Sequence, residues 1–124
     1  MSVEALNVIS RSMKSLKLNY AFVEWKGLPC YPYWIGEYQE VESSSEDGLQ
    51  ETTFILTGFT RGSWLDLENQ KAIIENYFTK EGHTTITDSG SGVVVMYENS
   101  LVIPTGDPQL KKLQINLSIK EWKV

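Results

Sequence analysis

One histidine, one cysteine and sixteen carboxylates are the residues of this 124-residue chain whose types invite a chemical reading. His83 follows Glu81 and Gly82 where a helical pattern gives way to a strand. No second His or Cys stands at ligand spacing, so it reads as a surface histidine rather than a metal ligand or general base. Cys30, between Pro29 and Tyr31, has no CxxC partner, and a buried or half-buried structural thiol is expected. Glu40 and Glu42 fall on the same side of a regular strand, where paired carboxylates raise a pKa or bind a divalent cation. Glu46-Asp47-Gly48 lacks the further oxygen ligands of a calcium loop. Gly90-Ser91-Gly92 precedes a strand, not a helix, and reads as a hairpin turn rather than a phosphate cradle. Neither catalysis, a cofactor nor a tightly bound metal is expected.

The elements that would hold these residues can be read from period and punctuation. Over residues 2–17, Ala5, Leu6, Ile9, Met13 and Leu16 share one helical face, with Glu4, Asn7, Arg11 and Lys14 opposite. The basic side of this helix reads as a solvated face. A strand over Tyr20–Trp25 ends at Gly27 and Pro29. A hairpin follows, with one strand near Tyr33 to Val41, a turn through Ser43 to Gly48, and a return near Glu51 to Thr60. Gly58 marks a bulge or a close backbone approach. Ser63 and Asp66 open a second helix over about residues 64–79, carrying Leu67, Ile73, Ile74, Tyr77 and Phe78 toward the core. Thr84–Thr87 and Val93–Tyr97 form a second hairpin, a loop with Pro104, Gly106 and Pro108 follows, and Leu113 to Ile119 alternate strictly as a half-buried strand. The order is α-β-β-β-α-β-β-β. One α+β domain over residues 1–124 is expected, with two helices packed on one face of a mostly antiparallel sheet.

Composition narrows the function classes. A formal net charge of −5 and a pI near 4.8 disfavour specific nucleic-acid binding. No apolar run approaches the roughly 20 residues of a membrane span. The single cysteine and the missing apolar leader point to synthesis in the cytosol. The charge is unevenly placed: Glu37, Glu40, Glu42, Glu46, Asp47 and Glu51 follow one another with no base among them, and Arg61 closes the segment. A long acidic hairpin on a small domain projects toward something, because no core needs it. Trp25, Tyr31, Tyr33, Trp34 and Tyr38 cluster beside it, as ordinary sheet packing or as a sticky strand edge.

The block from Pro32 to Phe78, with the first helix and the closing alternating strand, resembles the tail-completion or tail-terminator proteins of long-tailed bacteriophages. The residues that carry the resemblance are a Pro-Tyr strand ending in glycine, Pro32-Tyr33-Trp34-Ile35-Gly36, a polar hairpin, a Thr-rich return strand and a helix of about 15 residues. The resemblance implies a virion structural protein made in the host cytoplasm. It would form a hexameric ring, cap the tail tube, stop its polymerisation and join the head-side connector, so its partners would be its own copies, the tube protein and the connector. The acidic balance would suit a lumen that passes DNA without binding it. On this analogy Glu37, Glu40, Glu42, Glu46 and Asp47 project as contact or lumen residues, Arg61 pairs across a subunit boundary, and Tyr33 and Trp34 lie near a subunit contact. Two other classes stay open: a ligand-binding or other head-tail joining module, whose ligand form would have a deep cavity lined by Tyr31, Tyr33 and Trp34, and an enzyme with polar groups converging on His83 or on Glu40 and Glu42.

Overall fold

The computed structural model describes residues 1–40 and 49–122. Its elements are α1 (Val3–Ser15), β1 (Tyr20–Phe22), β2 (Tyr33–Glu40), β3 (Leu49–Thr60), α2 (Trp64–Tyr77), β4 (His83–Ile86), β5 (Gly92–Ile103) and β6 (Lys111–Trp122). They build an α+β fold in the expected order. The six strands form one sheet in the order β1-β2-β3-β6-β5-β4. Every pair is antiparallel except β1 beside β2.

α1 begins at Ser2, whose hydroxyl accepts from the Ala5 N–H at 3.1 Å and satisfies one donor that the first turn leaves free. Ala5, Val8, Ile9, Ser12 and Met13 are its buried residues, while Leu6 and Leu16, expected on the same stripe, are only half-buried. The helix closes with the Lys17 N–H donating to the Lys14 carbonyl and the Leu18 N–H to the Met13 carbonyl, both at 3.0 Å. This double bond is the Schellman pattern, and it places Lys17 at φ 60° where glycine is usual.

α2 starts at Ser63, which accepts from the Leu65 N–H at 3.0 Å. Leu67, Ile74 and Phe78 enter the core; Ile73 does not, and stays exposed. On β6, Leu113, Ile115, Leu117, Ile119 and Glu121 are buried in strict alternation, and β3 sets buried Gly58, Leu56, Phe54 and Thr52 beside the first four of them. Both helices contribute to this one cluster, so they share a single face of the sheet. The sheet also curls around α1. One side of the helix lies along β1 at Tyr20, Ala21 and Phe22, and the other along β4 at His83 and Thr85.

Gly58 marks a close approach, not a bulge, because the ladder runs through it without a shift. A Cβ there would stand 2.7 Å from the Trp34 ring and 2.9 Å from Leu67. Two strands differ from expectation for a visible local reason. β1 stops at Phe22, because the Glu24 N–H donates back to the Phe22 carbonyl at 2.9 Å around Val23, at φ 71°. That is a γ-turn of the rare strained kind, on a β-branched residue. β5 runs on to Ile103, six residues past the expected end at Tyr97, through an irregularity between Tyr97 and Asn99.

Candidate assembly surface

Adjacent strand residues face opposite sides of a sheet, and β2 divides the two strongest aromatic candidates in this way. Trp34 points to the helices and is wholly buried, its Nε1 donating to Gln70 Oε1 at 2.8 Å. It is a core residue, which removes it from the surface expected to meet a second subunit. Tyr33 points to the helix-free face and heads an aromatic cluster. Trp25 lies 5.2 Å from it by ring centroid, Tyr31 5.5 Å and Phe59 5.1 Å. Lys112 places its ammonium 5.5 Å above the Phe59 ring. Burial, with help from Tyr31 and against Arg61, pushes the Tyr33 phenol above its ordinary range. Since Tyr33 and Trp34 face apart, they do not line one cavity, and the pocket wall that the ligand-binding alternative requires is not formed by them.

Arg61 sits at the rim of this cluster. Its guanidinium pairs with Asp107 of the same chain at 3.4 Å, with both side chains about half exposed. A hydrogen bond with the Tyr31 hydroxyl is the main cause that raises it further above its ordinary range. A surface pair of this kind is worth about 0–1 kcal/mol, so it orients the loops rather than holding the fold. Within the chain, then, Arg61 already has partners.

Of the acidic candidates, Glu37 and Glu40 are exposed on β2. Glu40 pairs with the N-terminal ammonium of Met1. Glu51 is exposed on β3 and lies 4.0 Å from Lys120. Glu42, Glu46, Asp47 and the turn through Ser43 to Gly48 lie outside the described residues, so the Glu40/Glu42 pairing has no structural reading. His83 departs from the surface position expected of it: it opens β4 half-buried, stacked 4.5 Å from Tyr77, with Nδ1 buried and unpaired. Cys30 departs the other way. It is exposed, because the long β1–β2 loop carries it away from the core.

One functional-looking carboxylate escaped the reading of the sequence. Glu121 is 2% exposed and accepts from the Ser2 N–H at 3.3 Å and from the Ser2 hydroxyl. The signal was there: it continues the odd-numbered buried set of β6. It ties the end of β6 to the start of α1, where the helix dipole favours a negative charge.

Exposed apolar groups are prominent in two places. Phe22 and Val23 are exposed at the end of β1, and Leu28 in the loop that follows is 92% exposed. Trp64, Val102, Ile103, Pro104, Pro108 and Leu110 line a groove of about 500 Å³ between the start of α2 and the β5–β6 loop. Two strand edges are also uncovered among the described residues. β1 pairs only with Trp34 to Gly36 of β2, and β4 only with Gly92 to Val95 of β5. No described strand covers the outer side of Glu37 to Glu40 or of Glu98 to Ile103. Open edges and clustered apolar groups are the features of a chain that meets another. Among the described residues no three metal-ligating side chains gather, and no helix is long and apolar enough to cross a membrane.

No family model and no curated protein matches the chain. Solved structures do: one matches 100% of this chain and 98% of its own length, with a TM-score of 0.71 at 15% identity. At that identity the likeness shows the fold alone, and it shows it over the whole chain.

Proposed function

We propose that this chain is a structural tail protein of a long-tailed phage or prophage. It assembles as a ring of its own copies, caps the tail tube and joins it to the head-side connector. The observation that supports this most is the pair of incompletely covered strand edges, together with exposed Phe22, Val23 and Leu28 and the Trp64 groove. Such a surface suits self-association, since different patches on one chain can join copies head to tail and close into a ring. The strained γ-turn at Val23 fits the same reading. It costs of order 1–3 kcal/mol and holds an apolar side chain 62% exposed at the sheet edge. The step from assembly to tail capping rests on the resemblance of Pro32 to Phe78 to tail terminators.

Sizing across a concentration series with tail tubes present is the test. The wild type is expected to form a ring-sized species or to ride with the tubes. Glu40→Lys/Glu42→Lys/Asp47→Lys is expected to lose tube association and tail-length control. A wild type that stays monomeric and ignores tubes, or a charge reversal that leaves tail length intact, contradicts the reading.

A further inference from the structure

We infer that the furrow between α1 and β4 binds one small tetrahedral oxyanion of the phosphate class, held by Arg11 and by the hydroxyls and imidazole around it. This binding does not rest on the assembly proposed above.

The furrow has a volume of about 230 Å³ and is lined by Arg11, Ser12, Ser15, Tyr77, His83 and Thr85, with Val8 at one end. Helical spacing brings the α1 members together: Val8, Arg11, Ser12 and Ser15 are three or four residues from one another or adjacent, and so share one stripe. β4 supplies the facing wall. His83 and Thr85 are its two half-buried residues, and their ladder partners Val95 and Val93 belong to the core, so both side chains lie on the helix side of the sheet. Tyr77, the last residue of α2, stacks 4.5 Å from the imidazole and fixes the plane of that ring. Nδ1 of His83 is shut from solvent without a partner, which leaves Nε2 as the nitrogen able to meet a ligand.

Charge decides the sign of that ligand. The chain has 16 carboxylates against 11 bases, yet none of the described residues that line the furrow is a carboxylate. Along the helix, the residues three and four places from Arg11 are Asn7, Val8, Lys14 and Ser15, so no acid reaches it there. The ion pairs among the described residues are Met1–Glu40, Arg61–Asp107, Lys71–Glu68 and Lys120–Glu51, and none involves Arg11. Its guanidinium is an uncompensated cation. The hydroxyls of Ser12, Ser15, Tyr77 and Thr85 stand around it, and none of them bonds to a described residue, although Ser12 is only 5% exposed.

Donor count decides the geometry. A guanidinium offers a planar fork, each hydroxyl one O–H and the imidazole one N–H. A carboxylate has two oxygens and leaves most of these donors unmet, whereas the oxygens of a phosphate point to several sides at once and accept a bidentate arginine as well. Size agrees with this. Pockets for drug-sized ligands run to about 300–1,000 Å³, so this smaller furrow suits a phosphate or the head of a small phosphomonoester rather than a nucleotide.

The chain has one histidine, so its Cε1 proton gives a single resonance at the site. Sodium phosphate is titrated at fixed pH and ionic strength, with chloride as the balancing anion. The His83 resonance is expected to shift saturably, with half-saturation at about 1 mM or below. Arg11→Gln, a change at an exposed helix position, is expected to weaken binding at least tenfold, and Arg11→Lys, which keeps the charge but not the fork, to fall between it and the wild type. Lys17→Asn is expected to bind like the wild type, since Lys17 lines a different furrow and Asn suits its left-handed backbone. Acetate is expected to bind at least tenfold more weakly than phosphate. Glycerol phosphate separates the two sources: tighter binding than phosphate assigns a phosphomonoester, and equal or weaker binding assigns free phosphate. The site is overturned if neither phosphate nor its ester gives a saturable shift, or if acetate binds as tightly. It is also overturned if Arg11→Gln, folded by circular dichroism, binds like the wild type, or if Lys17→Asn loses as much as Arg11→Gln does.

Discussion

Trp34→Ala is expected to destabilise the chain by about 3–5 kcal/mol, the range for truncating a wholly buried tryptophan. The ring fills the space that Gly58 leaves open, where even a Cβ would stand 2.7 Å away, and it hydrogen-bonds Gln70. Removing it opens a cavity bounded by β3 and α2 and leaves the Gln70 amide oxygen without its donor. At roughly 3–5 °C per kcal/mol for a chain of this size, the melting temperature should fall by at least about 10 °C. Tyr33→Ala, one residue earlier on the opposite face, should cost less than about half as much, since the ring is only half-buried. Thermal unfolding by circular dichroism separates the two. A Trp34→Ala variant that melts like the wild type but no longer assembles would return Trp34 to the contact surface.

Glu121→Ala should cost about 2–3 kcal/mol. The carboxylate is buried and accepts from both the backbone and the hydroxyl of Ser2, and bonds to a charged acceptor are worth about 1.5–3 kcal/mol. The same Ser2 hydroxyl caps α1, so the loss also loosens the first turn of the helix. Glu121→Gln, which keeps the shape but not the charge, should recover about half of the loss. Urea unfolding of the three proteins measures this. Equal stability of wild type and Glu121→Ala would mean that water serves Ser2 as well as the carboxylate does.

These two residues show what the sequence made legible and what it did not. Strict alternation from Leu113 to Ile119 located β6 and its buried face, and the same count reaches Glu121, whose charge disguised it as a solvent residue. Pro32-Tyr33-Trp34 announced a strand but not its register. Both neighbours are aromatic, and only the residue opposite Gly58 could enter the core. β5 was read short for a different reason. Val93, Val95 and Tyr97 are buried in alternation, then the irregularity before Asn99 shifts the pairing so that Ser100 and Val102 take the same side. No period-2 pattern survives that shift. His83 was misplaced because its burial comes from Tyr77 and α1, contacts that are distant in sequence or made only by the folded helix end. Ser63 as a helix cap and Gly58 as a close approach were legible because each rests on a local steric or hydrogen-bonding rule.

Growth of purified tail tubes, followed by electron microscopy while fresh tube subunits are supplied, tests the proposed role most directly. With this protein added, tubes are expected to stop at the length they had on addition and to carry extra density at one end, while tubes without it continue to lengthen. Tubes that lengthen equally in both conditions, with bare ends, would contradict the account.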